Sequence, residues 1–114
     1  MGDNMDSKLY EDIVKFRDDR NWKQYHNPKD LAISLSLEAS ELLENFQWTS
    51  ADEATSLKIE NICDELADVF MYGILMADSL GINIDEIIKN KLQKNIQKYP
   101  VEKAYGKKEK YTEL

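Results

Sequence analysis

The chain has little of what most redox and zinc sites are built from. Its 114 residues include one cysteine, Cys63, and one histidine, His26. A single cysteine forms no intrachain disulfide, and we expect Cys63 to be a small core residue of an apolar helix. Zinc sites need several His or Cys ligands, and di-iron bundles use Glu-x-x-His pairs. Since His26 lies outside any such pair, the sequence argues against both kinds of site.

Long apolar runs and an excess of positive charge are also lacking. No uninterrupted apolar stretch approaches the length of a membrane span. The first residues do not form a basic region followed by an apolar run, so we expect no secretory signal and a cytoplasmic protein. The formal net charge of −7 argues against binding of a nucleic-acid polymer, because no broad basic face can neutralise the phosphates. One bound nucleotide is compatible with this charge, since a metal ion reverses the local sign.

The spacing of apolar residues predicts an all-α fold with four helices in one domain, residues 1–114. Asn27-Pro28 reads as a helix cap followed by proline at the first helical position, and Ser50-x-x-Glu53 and Asn83-x-x-Glu86 read as capping boxes. Gly81 is expected to end the third helix and Pro100 to follow the fourth. The predicted helices run from about Asp6 to Arg20, from Pro28 to Trp48, from Ala51 to Gly81 and from Asn83 to Tyr99. The tail, 99–114, is expected to be irregular.

Two acidic pairs are the most informative feature of the sequence. Glu38-x-x-Glu41 and Glu65-x-x-Asp68 lie in the second and third helices, which are the most apolar. A step of three residues leaves both side chains on one helix face. If the two faces oppose each other, four carboxylates converge, and they repel one another unless a cation or protons neutralise them. All-oxygen ligation suits Mg²⁺ or Mn²⁺, and therefore phosphate chemistry. The plainer alternative is that the four acids belong to ordinary solvated faces.

Basic and aromatic side chains could complete such a site. Lys91, Lys94 and Lys98 follow one another on the fourth helix, and Asn95 lies one turn after Lys91. These lysines either face a phosphate or form a solvated basic surface. Aromatic residues at the helix joints either fill the edge of the core or form a stacking slot for a base. This aromatic group consists of Phe16, Trp22, Tyr25 and Trp48.

Several ordered motifs resemble one enzyme family. RNW, FQW, DELADVFMYG, K-x-x-x-N and YP follow in sequence with the two acidic pairs between them. Together they resemble the short MazG-like nucleotide pyrophosphohydrolases, most of all the dCTP pyrophosphatase branch, from about Phe16 to the C-terminus. Leu37 stands where larger MazG proteins often double the first glutamate, which favours the short branch. Ile13 stands where dCTP-selective animal enzymes carry a histidine, so the resemblance does not fix a strict dCTP preference.

The resemblance implies a four-helix MazG-like bundle that assembles as a dimer or a dimer of dimers. It implies Mg²⁺-dependent hydrolysis of a nucleoside triphosphate to the monophosphate and pyrophosphate. The matching positions make Glu38, Glu41, Glu65 and Asp68 the metal ligands and catalytic residues. Nucleotide contacts fall, by the same resemblance, on Lys91 and Asn95 and on the pocket aromatics Trp22, Trp48 and Tyr72.

The hypothesis from sequence is a house-cleaning enzyme that prefers dCTP or a modified pyrimidine nucleotide. Its mechanism would be metal-assisted attack of water on a phosphorus of the triphosphate. Glu41 is our choice for the carboxylate that acts as general base. The alternative from another class is a non-enzymatic helical interaction or regulatory module, whose acidic face binds a basic partner. That alternative requires the carboxylates to lie on an outer surface.

Overall fold

The structure is a computed structural model that describes residues 7–114, and the secondary structure of these residues consists of helices, with no strand among them. The all-α prediction is confirmed. Four helices are long, as the sequence predicts, and two are short. They are α1 Ser7–Asp19, α2 Pro28–Glu44, α3 Ala51–Leu57, α4 Ile59–Leu80, α5 Ile84–Lys98 and α6 Val101–Ala104, with 3₁₀ turns at Lys23–Tyr25 and Tyr111–Glu113. The predicted first residue of the first helix, Asp6, lies outside the described residues.

The predicted helix caps are confirmed by hydrogen bonds. The side chain of Asn27 accepts from the backbone N–H of Asp30 at 2.9 Å, with Pro28 at the first helical position. Ser50 accepts from Glu53 at 3.1 Å, and Asn83 accepts from Glu86 at 3.0 Å. Gly81 ends α4 with a positive φ of 67°, a conformation that glycine adopts without strain. Local sequence therefore fixes where α2, α3 and α5 begin and where α4 ends.

Two predicted helix boundaries are wrong. The single long helix from Ala51 to Gly81 is broken at Lys58, whose φ of −123° and ψ of 22° end α3 and begin α4. These backbone angles are not helical, so α3, which buries Ala54, and α4 are separate helices. The second helix ends at Glu44 instead of Trp48. The side chain of Asn45 caps it there.

The chain divides into two compact units, Met1–Ile82 and Asn83–Leu114. In the first unit α2 and α4 form the most extensive helix pair, and α1 and α3 also pack on α4. Its core cluster joins Ile13 of α1, Leu31 of α2 and the adjacent pair Ile74 and Leu75 of α4. The core is small, and it brings together the two helices that carry the acidic pairs.

The second unit consists of α5, α6 and the final turn. Tyr99 and Tyr111 form an edge-to-face pair with ring centroids 6.0 Å apart, and the ammonium of Lys98 lies 4.8 Å from the centre of the Tyr111 ring. Aromatic and cation–π contacts of this kind hold the last residues against α5. The segment 99–114 therefore contains ordered short helices, whereas the sequence predicts an irregular tail.

Two further features bear on the sequence predictions. Cys63 is exposed on α4, so its assignment to the core is wrong. Among residues 7–114 no single helix is long and apolar enough to cross a membrane, although α4 and α5 taken together pass the same test of length and composition.

Candidate active site

Three carboxylates from α2 and α4 converge in the first unit. One oxygen from each of Glu38, Glu65 and Asp68 lies within 4.8 Å of the other two. Glu65 and Asp68 share a face of α4 because three residues make almost one helical turn, and Glu38 comes from α2. All three side chains are half-buried. We call these three residues the acidic cluster.

The acidic cluster contains two carboxylate oxygens that are buried without a hydrogen-bond partner, Oε2 of Glu38 and Oε2 of Glu65. Burial, followed by the neighbouring carboxylates, raises the pKa of Glu38 to about 7 and also raises the pKa of Glu65. A buried acceptor without a donor costs free energy, and closely spaced like charges add to that cost. Protons or a cation relieve both. The all-oxygen donor set therefore fits a hard divalent cation.

Glu41 and Tyr72 border the cluster. Glu41 is exposed, and the charge of its carboxylate contributes, after burial, to the raised pKa values of Glu38 and Glu65. It is not one of the three groups whose oxygens converge. Burial, and then the charges of Glu38, Asp68 and Glu41, raise the pKa of Tyr72. Both side chains therefore lie close enough to the cluster to feel its charge.

A cavity of about 360 Å³ lies beside the cluster, within the size range of small-molecule sites. Asp68 belongs to both the cluster and the cavity wall. Tyr72, one turn later on α4, also lines the cavity, as do Ile13 and Phe16 of α1 and Trp22 of the following segment. A largely apolar recess thus begins where the carboxylates end.

The aromatic part of the cavity wall is braced by its own contacts. The rings of Phe16 and Trp22 meet edge to face, with centroids 5.6 Å apart and an interplanar angle of 79°. The guanidinium of Arg20 lies 3.8 Å from the centre of the Phe16 ring. Such contacts hold the indole at a defined angle, which suits a wall against which a flat ring packs.

Two polar residues of the cavity were missed from the sequence. Arg17 is only 2% exposed, and its guanidinium donates to Asp78 at 2.6 Å and to Asp18 at 2.9 Å. The sequence clue to Arg17 was its position on the apolar face of α1, four residues after Ile13. The Arg17–Asp78 pair ties α1 to α4 beneath the cavity.

His26 is the second missed residue. It lines the cavity, and its Nδ1 atom is buried without a partner. Burial, and then the charge of Arg17, lower its pKa, so the imidazole is neutral near pH 7. Its backbone carbonyl accepts from the Ser79 hydroxyl at 3.3 Å, which fixes the loop on α4. The sequence clue to His26 was its position directly before Asn27, the residue that caps α2.

Of the other predicted nucleotide contacts, Trp48 is not among the residues that line the cavity. The side chain of Trp48 is 93% exposed, and its φ of 61° is unusual for a bulky residue. Lys91 and Asn95 lie one turn apart on α5, in the second unit. Nothing in the structure tests whether Lys91 and Asn95 contact a nucleotide, so this role stays a prediction.

Comparison with known proteins gives the chain a family. The model of the MazG-like family matches residues 33–114, which include most of α2, all of α4 and the whole acidic cluster. The chain belongs to the MazG-like family. The sequence-based resemblance is thereby confirmed.

The chain is also similar to proteins named as pyrophosphatases. The chain is 32% identical to dCTP pyrophosphatase 1 of Mus musculus and 30% identical to that of Homo sapiens, each over 106 residues. Each alignment covers 89% of this chain and 62% of the relative, so the chain spans less than two thirds of their length. It also resembles the crystal structure of a pyrophosphatase from Archaeoglobus fulgidus DSM 4304. The TM-score is 0.77 and the identity 43%, covering 82% of this chain and 90% of that one.

Proposed function

We propose that this MazG-like protein hydrolyses a nucleoside triphosphate to the monophosphate and pyrophosphate. The proposal includes Mg²⁺ as the metal, with Mn²⁺ as a substitute, and dCTP or a modified pyrimidine nucleotide as the preferred substrate. The function would be removal of unwanted nucleotides from the pool, in the cytoplasm. Relatives named as dCTP pyrophosphatases and as a pyrophosphatase support the reaction class.

The observation that carries the proposal is the junction between the acidic cluster and the cavity. Two buried carboxylate oxygens have no hydrogen-bond partner, so the cluster favours a positively charged ligand. Asp68 belongs both to this cluster and to the wall of the apolar cavity of about 360 Å³. A nucleotide has the same two-part character, with a charged phosphate chain at one end and a flat ring at the other. The regulatory-module alternative fits less well, because half-buried carboxylates are poorly placed for a basic partner.

Each residue of the cluster has a proposed task. Glu38, Glu65 and Asp68 would hold the divalent ion, with Glu41 at the edge as a further ligand or as the general base. When bound, such an ion neutralises phosphate charge and lowers the pKa of a nearby water molecule. Glu41 suits proton transfer because its exposed carboxylate borders the cluster, where a water molecule could reach it.

The base would occupy the cavity. Trp22, braced by Phe16, offers a ring face, and Tyr72 bridges from the base to the phosphates. Packing a base against an aromatic side chain contributes about 1–3 kcal/mol. The apolar wall would also exclude bulk water from the reacting end. Lys91 and Asn95 are proposed to contact the nucleotide, a role carried over from the family motif.

The active enzyme is proposed to be a dimer or a dimer of dimers. Large apolar side chains remain exposed along the two central helices, which is more than a monomer usually leaves to water. They include Leu37 at 59% and Leu43 at 70% on α2, and Phe70 at 61% on α4. A second copy covering this surface would also bury Trp48, whose strained backbone is the kind of outlier that is kept for function. Trp48 would then serve the cavity of the partner chain.

A panel of nucleoside triphosphates with Mg²⁺, scored for pyrophosphate release, tests the proposal. We expect turnover of at least one pyrimidine triphosphate, and loss of about 10³-fold or more in kcat for Glu65→Gln because a metal ligand is removed. Glu60→Gln is the matched control, since Glu60 is an exposed glutamate of the same helix. Equal turnover in Glu65→Gln and wild type would remove Glu65 from the site. No release from any triphosphate would contradict the proposed reaction.

A further inference from the structure

Two side-chain amides join α2 to α4 one helical turn beyond the acidic cluster. Nδ2 of Asn61 on α4 donates to Oδ1 of Asn45 at 2.6 Å. Asn45 follows Glu41 by four residues, and Asn61 precedes Glu65 by four. Four residues make slightly more than one turn and rise about 6 Å. Each amide therefore lies on the same helix face as a carboxylate of the site, displaced along the axis by one turn.

The orientation of the Asn45 amide is fixed by its own helix. Asn45 is 5% exposed, and its Nδ2 donates to the backbone carbonyls of Glu41 and Leu42, both at 3.3 Å. These carbonyls lie in the last turn of α2, and that of Leu42 also accepts from the backbone N–H of Asn45 at 3.3 Å. The reversed amide would set Oδ1 against two carbonyl oxygens. Only the observed orientation satisfies all three bonds, and it directs Oδ1 at Asn61.

Net stability alone gives little reason to place two amides at this contact. Asn61 is an exposed residue, so its bond competes with water and contributes little net free energy. Apolar side chains of similar volume would cover the buried position at least as well. What a hydrogen bond adds is geometry, because its donor–acceptor distance is narrow, whereas an apolar contact tolerates sliding.

We propose that Asn45 and Asn61 are positioning residues that set the axial register of α2 against α4. This inference rests on the proposed function for its purpose, namely to hold Glu38 at the correct distance from Glu65 and Asp68 for a divalent cation. A slide of one helix along the other would separate the ligands even if the fold stayed intact. Groups that orient metal ligands in this way typically change metal affinity by about 10- to 100-fold when removed.

Two variants and one control separate positioning from simple packing. Asn61→Ala removes the donor, and the double variant Asn45→Leu/Asn61→Ala replaces the amides with an apolar contact. Ser50→Ala is the control, because it removes the cap of α3 and lowers Tm without touching the pair. The register is read without metal by dipolar EPR. One spin label is attached to the exposed Cys63 of α4 and one to a Ser40→Cys site on α2. Labelled chains are diluted into unlabelled protein, so that only pairs within one chain contribute.

We expect Asn61→Ala and the double variant to broaden the distance distribution and to weaken Mg²⁺ binding, measured by calorimetry without nucleotide, about 10- to 100-fold. The double variant should do so with a Tm no lower than that of Asn61→Ala. Ser50→Ala should lower Tm and change neither other readout. An unchanged distribution in Asn61→Ala would overturn the positioning role, and so would a broadened distribution with Mg²⁺ affinity within about twofold of wild type. A wild-type protein that binds no Mg²⁺ would contradict the proposed function, while the EPR result would still decide the register.

Discussion

At the scale of single residues, the main feature of the site is a group of buried carboxylates that no donor or positive charge of the site neutralises. Glu38 and Glu65 bury carboxylate oxygens that have no donor, close to Asp68 and Glu41. The pKa of Glu38 is raised to about 7, from an ordinary value of 4.5, by burial and then by these neighbours. A bound cation would relieve the repulsion that this arrangement imposes on the metal-free fold.

A pH dependence follows for the metal-free protein. Between pH 4.5 and about 7 the folded state keeps a proton on Glu38 that the unfolded chain has lost, so Glu38 lowers stability as pH rises through this range. We therefore expect Glu38→Gln to have the higher Tm at about pH 8 and a much smaller advantage near pH 4.5. The lowered pKa of His26 acts in the opposite direction, but it is common to both proteins and cancels in the comparison. Added Mg²⁺ should reverse the order at pH 8. A Tm difference that is independent of pH would contradict the raised pKa.

At the scale of the elements, the Arg17–Asp78 pair joins α1 to α4. Arg17 is almost fully buried, whereas the Asp78 side chain is 27% exposed and that of Asp18 is 49% exposed. Removing one partner of a buried pair leaves an uncompensated charge. The pair therefore fixes the helix that supplies Ile13 and Phe16 to the cavity.

We expect Asp78→Ala to lower the free energy of unfolding by about 3 kcal/mol, as for a broken buried ion pair. Asp18→Ala is the matched control, because Asp18 also bonds Arg17 but lies half in water. Its loss should stay below about 1 kcal/mol. Urea unfolding of the two variants measures both values. Equal losses of unfolding free energy in the two variants would mean that the bond from Arg17 to Asp78 contributes no more to stability than the bond to Asp18.

The helices show which features could be predicted from the sequence and which could not. Short-range signals were enough for the caps at Asn27, Ser50 and Asn83, since each depends on a residue three positions away. The break at Lys58 was missed because residues 51–64 contain no glycine or proline that would indicate it. The acidic cluster could be predicted from helix periodicity. Arg17 and His26 could not, because their neighbours come from distant parts of the chain.

At the scale of the whole molecule, the described chain offers only part of the proposed site. Trp22 lines the cavity, and Trp48 is almost fully exposed. The exposed apolar residues of α2 and α4 support a second copy as the surface that receives Trp48. A site shared between two chains is one way in which 114 residues could enclose the proposed nucleotide.

We expect Trp48→Ala to raise KM for a pyrimidine triphosphate at least ~10-fold, from the loss of ~1–3 kcal/mol of stacking, with a smaller fall in kcat. Mixing tests whether the site is shared. If Trp48 serves the partner, refolding Trp48→Ala together with Glu65→Gln in equal amounts creates one intact site per mixed dimer. About a quarter of wild-type activity should return, with wild-type KM. No recovery would contradict a shared site, and an unchanged KM with a lowered Tm would make Trp48 a packing residue only.

The central claim is that the acidic cluster supports cleavage of a nucleoside triphosphate between its first and second phosphates. Chromatography of an early time point, with a turned-over pyrimidine triphosphate and Mg²⁺, tests it most directly. We predict that monophosphate and pyrophosphate appear together in equal amounts, with no diphosphate at any time. Accumulation of the diphosphate with orthophosphate would mean stepwise phosphatase chemistry and would contradict the account.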